Sequence, residues 1–183
     1  VLHQAEPGDY DDKYIRWRPQ DLPIVPTEWK LLVTDSSRQQ FETVKELIGK
    51  ADIIVNAGDP DREGQLLVDE VLYFVGNTKP VQRILLNALD EKSVKSALGD
   101  LRDNKDFHNL YQSALARARA DWLIGMNLSR AYTLSERYKG NKVTLPIGRV
   151  KTPTLALVVR RERELADFKP VDYFTVKILY THE

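Results

Sequence analysis

The sequence predicts an α/β fold, a parallel sheet flanked by helices, followed by a mainly helical portion and ending on a truncated strand. Three observations carry that prediction. An apolar, β-branched run, Ile53-Ile54-Val55, breaks at Gly58 and Pro60 and resumes after Gly64 with helical spacing. A second apolar run spans Val81 to Leu86; strand, helix, strand at this separation is a βαβ unit, which crosses over right-handed. From Phe107 to about Tyr138 only Gly125 interrupts a helical pattern.

Taken in order, Val1 to Leu32 reads as extended and loop-like. Pro7, Pro19, Pro23 and Pro26 break any period there, while Trp17, Ile24, Val25 and Trp29 offer anchors. Asp35, Ser36 and Ser37 can cap a helix that carries Phe41, Val44, Leu47 and Ile48 on one face and nears its end at Gly49. The run at Ile53 suits a strand buried on both faces. Its following helix carries Leu66, Leu67, Glu70, Val71 and Phe74, with Gly76 just past the end. Asp90 is a candidate N-cap for a helix with Val94, Ala97, Leu98 and Leu101 on one side.

Beyond Asn104, Phe107, Leu110, Tyr111, Ala114, Ala118 and Trp122 recur at helical spacing, as one long helix or two jointed near Gly125. Lys139 to Lys142 is a turn. Thr152 can serve as N-cap with Pro153 at the first helical position, and the helix then runs through Leu155, Val158, Val159 and Arg163 to Ala166. Tyr173 to Tyr180 alternates Phe174, Val176 and Ile178 with Thr175 and Lys177, which is strand periodicity.

Composition narrows the function classes. At 183 residues the chain buries one good core, or one core and part of a second. Hydrophobic residues at 42% and charged residues at 30% are ordinary for a globular protein, and no apolar run is long enough to span a bilayer. The absence of cysteine excludes disulfides and thiolate metal sites and fits a cytosolic protein. A formal net charge of +0 means that any nucleic-acid contact must come from local patches.

Two stretches carry chemistry. Asp59, Asp61 and Glu63 fall on one tight strand-to-helix turn, at the strand end where open α/β sheets bind ligands. Crowded carboxylates repel unless a cation joins them, and Mg2+ takes one or two carboxylates while keeping several waters. A merely solvated acidic turn is the competing reading. In the second stretch, Arg149 and Lys151 sit just before the free N–H groups of a helix start, an arrangement that suits a phosphate. From spacing alone, Arg149 paired to a neighbouring carboxylate serves equally well. Arg119 and Arg130, eleven residues apart, share a helix face about 16 Å from each other. A solvated or paired basic face is the alternative for these arginines and is preferred for Arg117.

Gly58-Asp59-Pro60-Asp61-Arg62-Glu63-Gly64-Gln65 resembles the acidic signature of a Toprim domain. Together with Ala116 to Ala131 and Gly148-Arg149-Val150-Lys151-Thr152-Pro153, it resembles the bacterial type IA DNA topoisomerases over nearly the whole chain. The resemblance implies a partial, Toprim-like domain at 1–103, its first strand and that strand's glutamate lying upstream, with Leu22 to Pro26 and Trp29 as a covering segment. It implies a portion of a helical DNA-binding domain at 104–170 and the start of an arch domain at 171–183. It further implies an isomerase of the bacterial cytoplasm, with no membrane association, that cuts, passes and reseals single DNA strands without ATP. On this resemblance Asp59, Asp61 and Glu63 are the catalytic and metal carboxylates, with Mg2+ as cofactor. Arg149, Lys151, Thr152, Arg119 and Arg130 contact single-stranded DNA, and the partners include the parent protein's other domains and a helicase.

Lys151 departs from the glutamine usual in that motif, so any base readout at that point is altered. None of the eight tyrosines stands in the Tyr-Pro-Arg setting of the family's nucleophile. Tyr10, Tyr14, Tyr73, Tyr111, Tyr132, Tyr138, Tyr173 and Tyr180 read as packing residues, so this stretch alone is expected to be inactive in DNA cleavage. A Toprim primase or nuclease is the competing class. The helical run and the Gly148 to Pro153 motif count against it.

Overall fold

A computed structural model describes residues 1–182, which form two compact units, Val1–Ile147 and the described residues from Gly148 onward. In the first unit the proline-rich start is more ordered than its composition foretold. β1 (Leu2–Gln4) pairs antiparallel with β2 (Leu31–Val33), Leu2 opposite Val33. Between them lie the one-turn helix α1 (Pro7–Tyr10) and 3-10 turns at Asp12–Tyr14 and Pro19–Asp21. Pro7 and Pro19 each open one of these turns, where a missing N–H costs nothing.

α2 (Arg38–Lys50) follows a 3-10 turn at Asp35–Ser37, which absorbs the residues expected to cap it. Phe41 is its buried contact, edge-on to Phe74 at 5.5 Å, while Leu47 stays exposed. The helix closes where Lys79 Nζ donates to the carbonyls of Ile48, Gly49 and Ala51 at 2.9, 2.6 and 2.5 Å. Those carbonyls lie at the negative end of the helix, so one ammonium satisfies three orphan acceptors.

The expected βαβ unit is present. β3 (Ile54–Asn56) runs parallel to β4 (Val81–Arg83), with α3 (Arg62–Phe74) between them in sequence. β5 (Arg102–Asp103) adds antiparallel to β4, giving the order β3-β4-β5. α3 ends as the sequence predicts: Gly76 adopts φ +67, its N–H bonds Tyr73 O, and Asn77 N–H bonds Leu72 O. The expectation that the β3 run is buried on both faces is corrected. Ile53 and Val55 are 56% and 45% exposed, because β3 is an edge strand in a sheet of only three and one face is left open.

α4 (Glu91–Leu98) is capped by Asp90, whose Oδ1 accepts from Ser93 N–H at 3.0 Å. A 3-10 turn at Asn104–Phe107 leads into α5 (His108–Tyr138), one unbroken helix of 31 residues with no joint at Gly125. Leu66 of α3 packs on Ala114 and Leu115 of α5, flanked by Tyr111 and Ala118, so the helical stretch shares a core with the Toprim-like part.

The N-terminal segment is clamped along α5. Trp122 Nε1 donates to Ala5 O at 3.1 Å, and its ring meets Tyr10 and Trp29 edge-on at 5.9 and 5.5 Å. Asn127 bonds both backbone groups of Ile24, accepting from its N–H and donating to its carbonyl. Of the anchors foreseen, Ile24 is buried and Val25 is exposed.

In the second unit, α6 (Lys151–Ala166) begins two residues earlier than Thr152 as N-cap requires. Val150 is already helical at φ −97, ψ −52, so the turn at Gly148 winds directly into the helix. The strand expected over Tyr173 to Tyr180 is not formed, and these residues have no regular structure. Alternation specifies a face, but a strand also needs a hydrogen-bonding partner.

Candidate metal centre

The acidic turn is built on backbone close approach. Asn56, the buried last residue of β3, accepts from Gly58 N–H through its side-chain Oδ1 at 3.0 Å and starts the turn. Gly58 then lies against Gly64: a Cβ on Gly58 would stand 2.5 Å from Gly64 O, and one on Gly64 would stand 2.4 Å from Asp59 O. Only glycine lets the strand end and the helix start pass this closely. Asp61 caps α3, its Oδ1 accepting from Gly64 N–H at 2.7 Å, as an anion at a helix N-terminus should.

Asp59 and Asp61 are thereby brought together, exposed, on one short turn. Glu63 is held differently. Arg117 of α5 reaches across to its Oε1 at 2.6 Å, and Arg62 Nε lies 3.4 Å from the same oxygen. Arg117 is thus a paired arginine, as preferred from sequence, although its partner is Glu63. Among the described residues no three carboxylates or imidazoles converge as a ready metal cluster. Two hard, exposed carboxylates nevertheless match what Mg2+ takes from proteins, so the donor set fits that ion.

Beneath the turn lies a polar layer that sequence reasoning missed. Arg83, fully buried at 0% exposure, donates through Nη1 to the carbonyls of Gly58, Ile84 and Asn56 at 2.6, 3.0 and 3.1 Å. Its Nη2 donates to Asp59 O at 2.5 Å. Burial pushes this guanidinium below its ordinary value, while Asp69, Asp59 and Asp61 pull it back up. Alongside, Asn104 donates to Asp69 and accepts from both Gln65 and Asn56, and Gln65 donates to Asp69. One signal was available: a lone charge inside the run Val81 to Leu86, which must find acceptors if the strand is covered.

The residues expected to grip DNA divide into two groups. Arg119 stacks over Trp29 at 5.3 Å. Arg130 is 5% exposed, donates through Nη1 to Tyr14 O at 2.7 Å and stacks on Trp17 at 5.1 Å. That placement makes Arg130 a fastener of the N-terminal segment instead of an open phosphate contact, which corrects the expectation drawn from the helix face. Arg149, Lys151 and Thr152 are exposed in the second unit. There the Thr152 hydroxyl accepts from Gly148 N–H at 3.1 Å, and the N-cap residue Val150 makes no side-chain cap bond.

Glu70 of α3 is a side consequence of this packing. Burial holds its carboxyl above the ordinary 4.5, with Arg119 opposing. A raised carboxylate means the folded state prefers the proton. Glu70 therefore favours folding at pH below about 4.5, and that contribution is lost as pH rises through its folded value. Glu70→Gln is expected to raise the melting temperature at pH 7 and to make no difference near pH 3. Equal melting temperatures at pH 7 would contradict this.

With the turn, its carboxylates and the long helix described, the likeness that emerges is to DNA topoisomerases. The DNA topoisomerase family model matches residues 105–183. Full-length topoisomerase I from Thermotoga maritima, a type IA enzyme, is similar at a TM-score of 0.56 and 27% identity, over 78% of this chain and 23% of its own. The relatives similar along the whole chain are more particular: they are bacterial DNA topoisomerase 3. The Vibrio cholerae protein is 49% identical over 100% of this chain, and the Bacillus licheniformis protein 40% identical over 94%. The chain spans 29% and 23% of those relatives' lengths, so it corresponds to a part of such a protein. The likeness read from the acidic turn and the two downstream motifs is thereby extended to the full sequence. Among the described residues, no helix is long and apolar enough to cross a membrane.

Proposed function

We propose that this chain supplies the acidic Toprim site and part of the single-strand-binding surface of a bacterial type IA topoisomerase. The parent protein cuts, passes and reseals single DNA strands without ATP, in the cytoplasm and with a helicase among its partners. One observation carries the reading: Asp59 and Asp61 share an exposed, glycine-locked turn at the end of β3 in a chain 49% identical throughout to a topoisomerase 3.

Asp59 and Asp61 would hold Mg2+, with Glu63 in support, and when bound the ion supplies positive charge against a DNA phosphate. Arg117 orients Glu63. Asp61 does double duty, since capping α3 fixes its backbone whether or not a cation is present. Arg149 and Lys151, exposed at the start of α6, add two cations to the positive end of a helix, which suits the backbone of a single strand. Arg119, on α5 in the first unit, is a separate candidate for a backbone contact.

Salt titration of single-stranded DNA binding tests the reading. Each phosphate contact releases counterions, so log affinity falls by about 0.7 per contact per decade of salt. Arg149→Ala is expected to weaken binding to all sequences and to flatten that slope by about one contact's worth. Identical slope and affinity in the two proteins would make Arg149 structural and the phosphate reading wrong.

A further inference from the structure

The Arg83 guanidinium is an unusual object: a full charge at 0% exposure whose hydrogen-bond partners are almost all backbone carbonyls. Covering an arginine costs several kcal/mol unless its donors are met, so the protein carries it for a reason of geometry. The four carbonyls belong to Asn56, Gly58, Asp59 and Ile84, three of them where β3 runs into the acidic turn and one next to Arg83 itself. Asn56 is also its register partner across the parallel pair. A planar fork that binds the end of one strand and the turn beyond it fixes the direction in which that turn leaves the sheet.

We propose that Arg83 is a positioning residue for the acidic turn: its fork on the Asn56, Gly58 and Asp59 carbonyls aims the Asp59 and Asp61 carboxylates at one shared divalent cation. The proposal rests on the metal reading above and adds a residue that touches no metal. It differs from a plain structural role in where its loss is felt. It differs from a plain electrostatic role in sign. A buried positive charge near two carboxylates disfavours a cation among them, so an arginine acting only through charge would weaken metal binding and its removal would strengthen it. A positioning arginine does the reverse.

Arg83→Lys keeps the charge and loses the planar two-nitrogen fork. Arg83→Met loses both at similar volume. Mn2+ binding to the 183-residue chain, followed by electron paramagnetic resonance with Mg2+ as competitor, is the measurement, alongside thermal melting. The expected result is about tenfold weaker Mn2+ binding by Arg83→Lys, the scale seen when groups that orient metal ligands are removed, and weaker binding still by Arg83→Met. Wild-type affinity in Arg83→Lys, or tighter binding in Arg83→Met, overturns the proposal and leaves the metal reading intact. No Mn2+ binding by the wild-type chain overturns the metal reading and this proposal with it. Should a variant fail to fold, the wild-type chain decides by nuclear magnetic resonance. The Arg83 guanidinium signals should be protected from exchange and should shift as Mg2+ saturates, and signals that stay unmoved overturn the proposal.

Discussion

The parent protein carrying Asp59→Asn and Asp61→Asn is expected to lose Mg2+-dependent DNA relaxation by about 100-fold or more, with its fold intact. The amides keep the size of the carboxylates and remove two negative charges from the turn. Asparagine is as good an N-cap as aspartate, so an amide at this position can still accept from Gly64 N–H where Asp61 does now at 2.7 Å. The lost helix-dipole term is about 0.3–1 kcal/mol. Losing charged groups that organise a phosphate site costs about 3–4 kcal/mol in the reaction barrier, several times more. Function should therefore fall far more than stability. Relaxation rates across a Mg2+ series check this, and an unchanged Mg2+ dependence in the double variant would sink the assignment of these carboxylates.

Gly64→Ala is expected to destabilise the first unit by about 3 kcal/mol, at the upper end of overpacking costs. Helix propensity argues the other way, since alanine is favoured over glycine inside a helix by about 1 kcal/mol. Packing wins because the added Cβ would stand 2.4, 2.5 and 2.8 Å from Asp59 O, N and Cα, all backbone atoms that cannot rotate aside. For a chain of this size the loss corresponds to about 6–12 °C in melting temperature. Gly49→Ala is the internal control. It lies in α2 with nothing within 4 Å of its would-be Cβ, so propensity should prevail and stability rise slightly. If both variants melt at or above wild type, the close approach of β3 and α3 is not what holds the turn.

How much of this was legible from residues follows from the range of the forces involved. Local signals read well: the break at Gly58, the cap at Asp90, the Gly76 stop and the helical spacing after Phe107 are all settled within a few residues. The turn that carries Asp59 and Asp61 was legible for the same reason. Arg83, Asn104 and the Arg117–Glu63 pair were not, because the partners that give them their roles lie 24 to 54 residues away; a lone charge inside an apolar run marks Arg83 locally but does not name its acceptors. The burial expected of Val55 failed because an apolar run reports what a strand could bury, and only the sheet's width decides whether a cover exists. Arg130 was misjudged alike: the helix face was right, but Trp17 and the Tyr14 carbonyl already occupied it.

The clamp between the N-terminal segment and α5 has an optical consequence. All three tryptophans of the chain belong to it: Trp17 under Arg130 and Arg137, Trp29 under Arg119, and Trp122 edge-on to Trp29. Intrinsic fluorescence is therefore a local reporter of this one contact, silent about the acidic turn and about residues beyond Ile147. A denaturation curve followed by emission records the segment leaving the helix, and one followed by circular dichroism records the helices melting. The two coincide only if those events are a single cooperative transition.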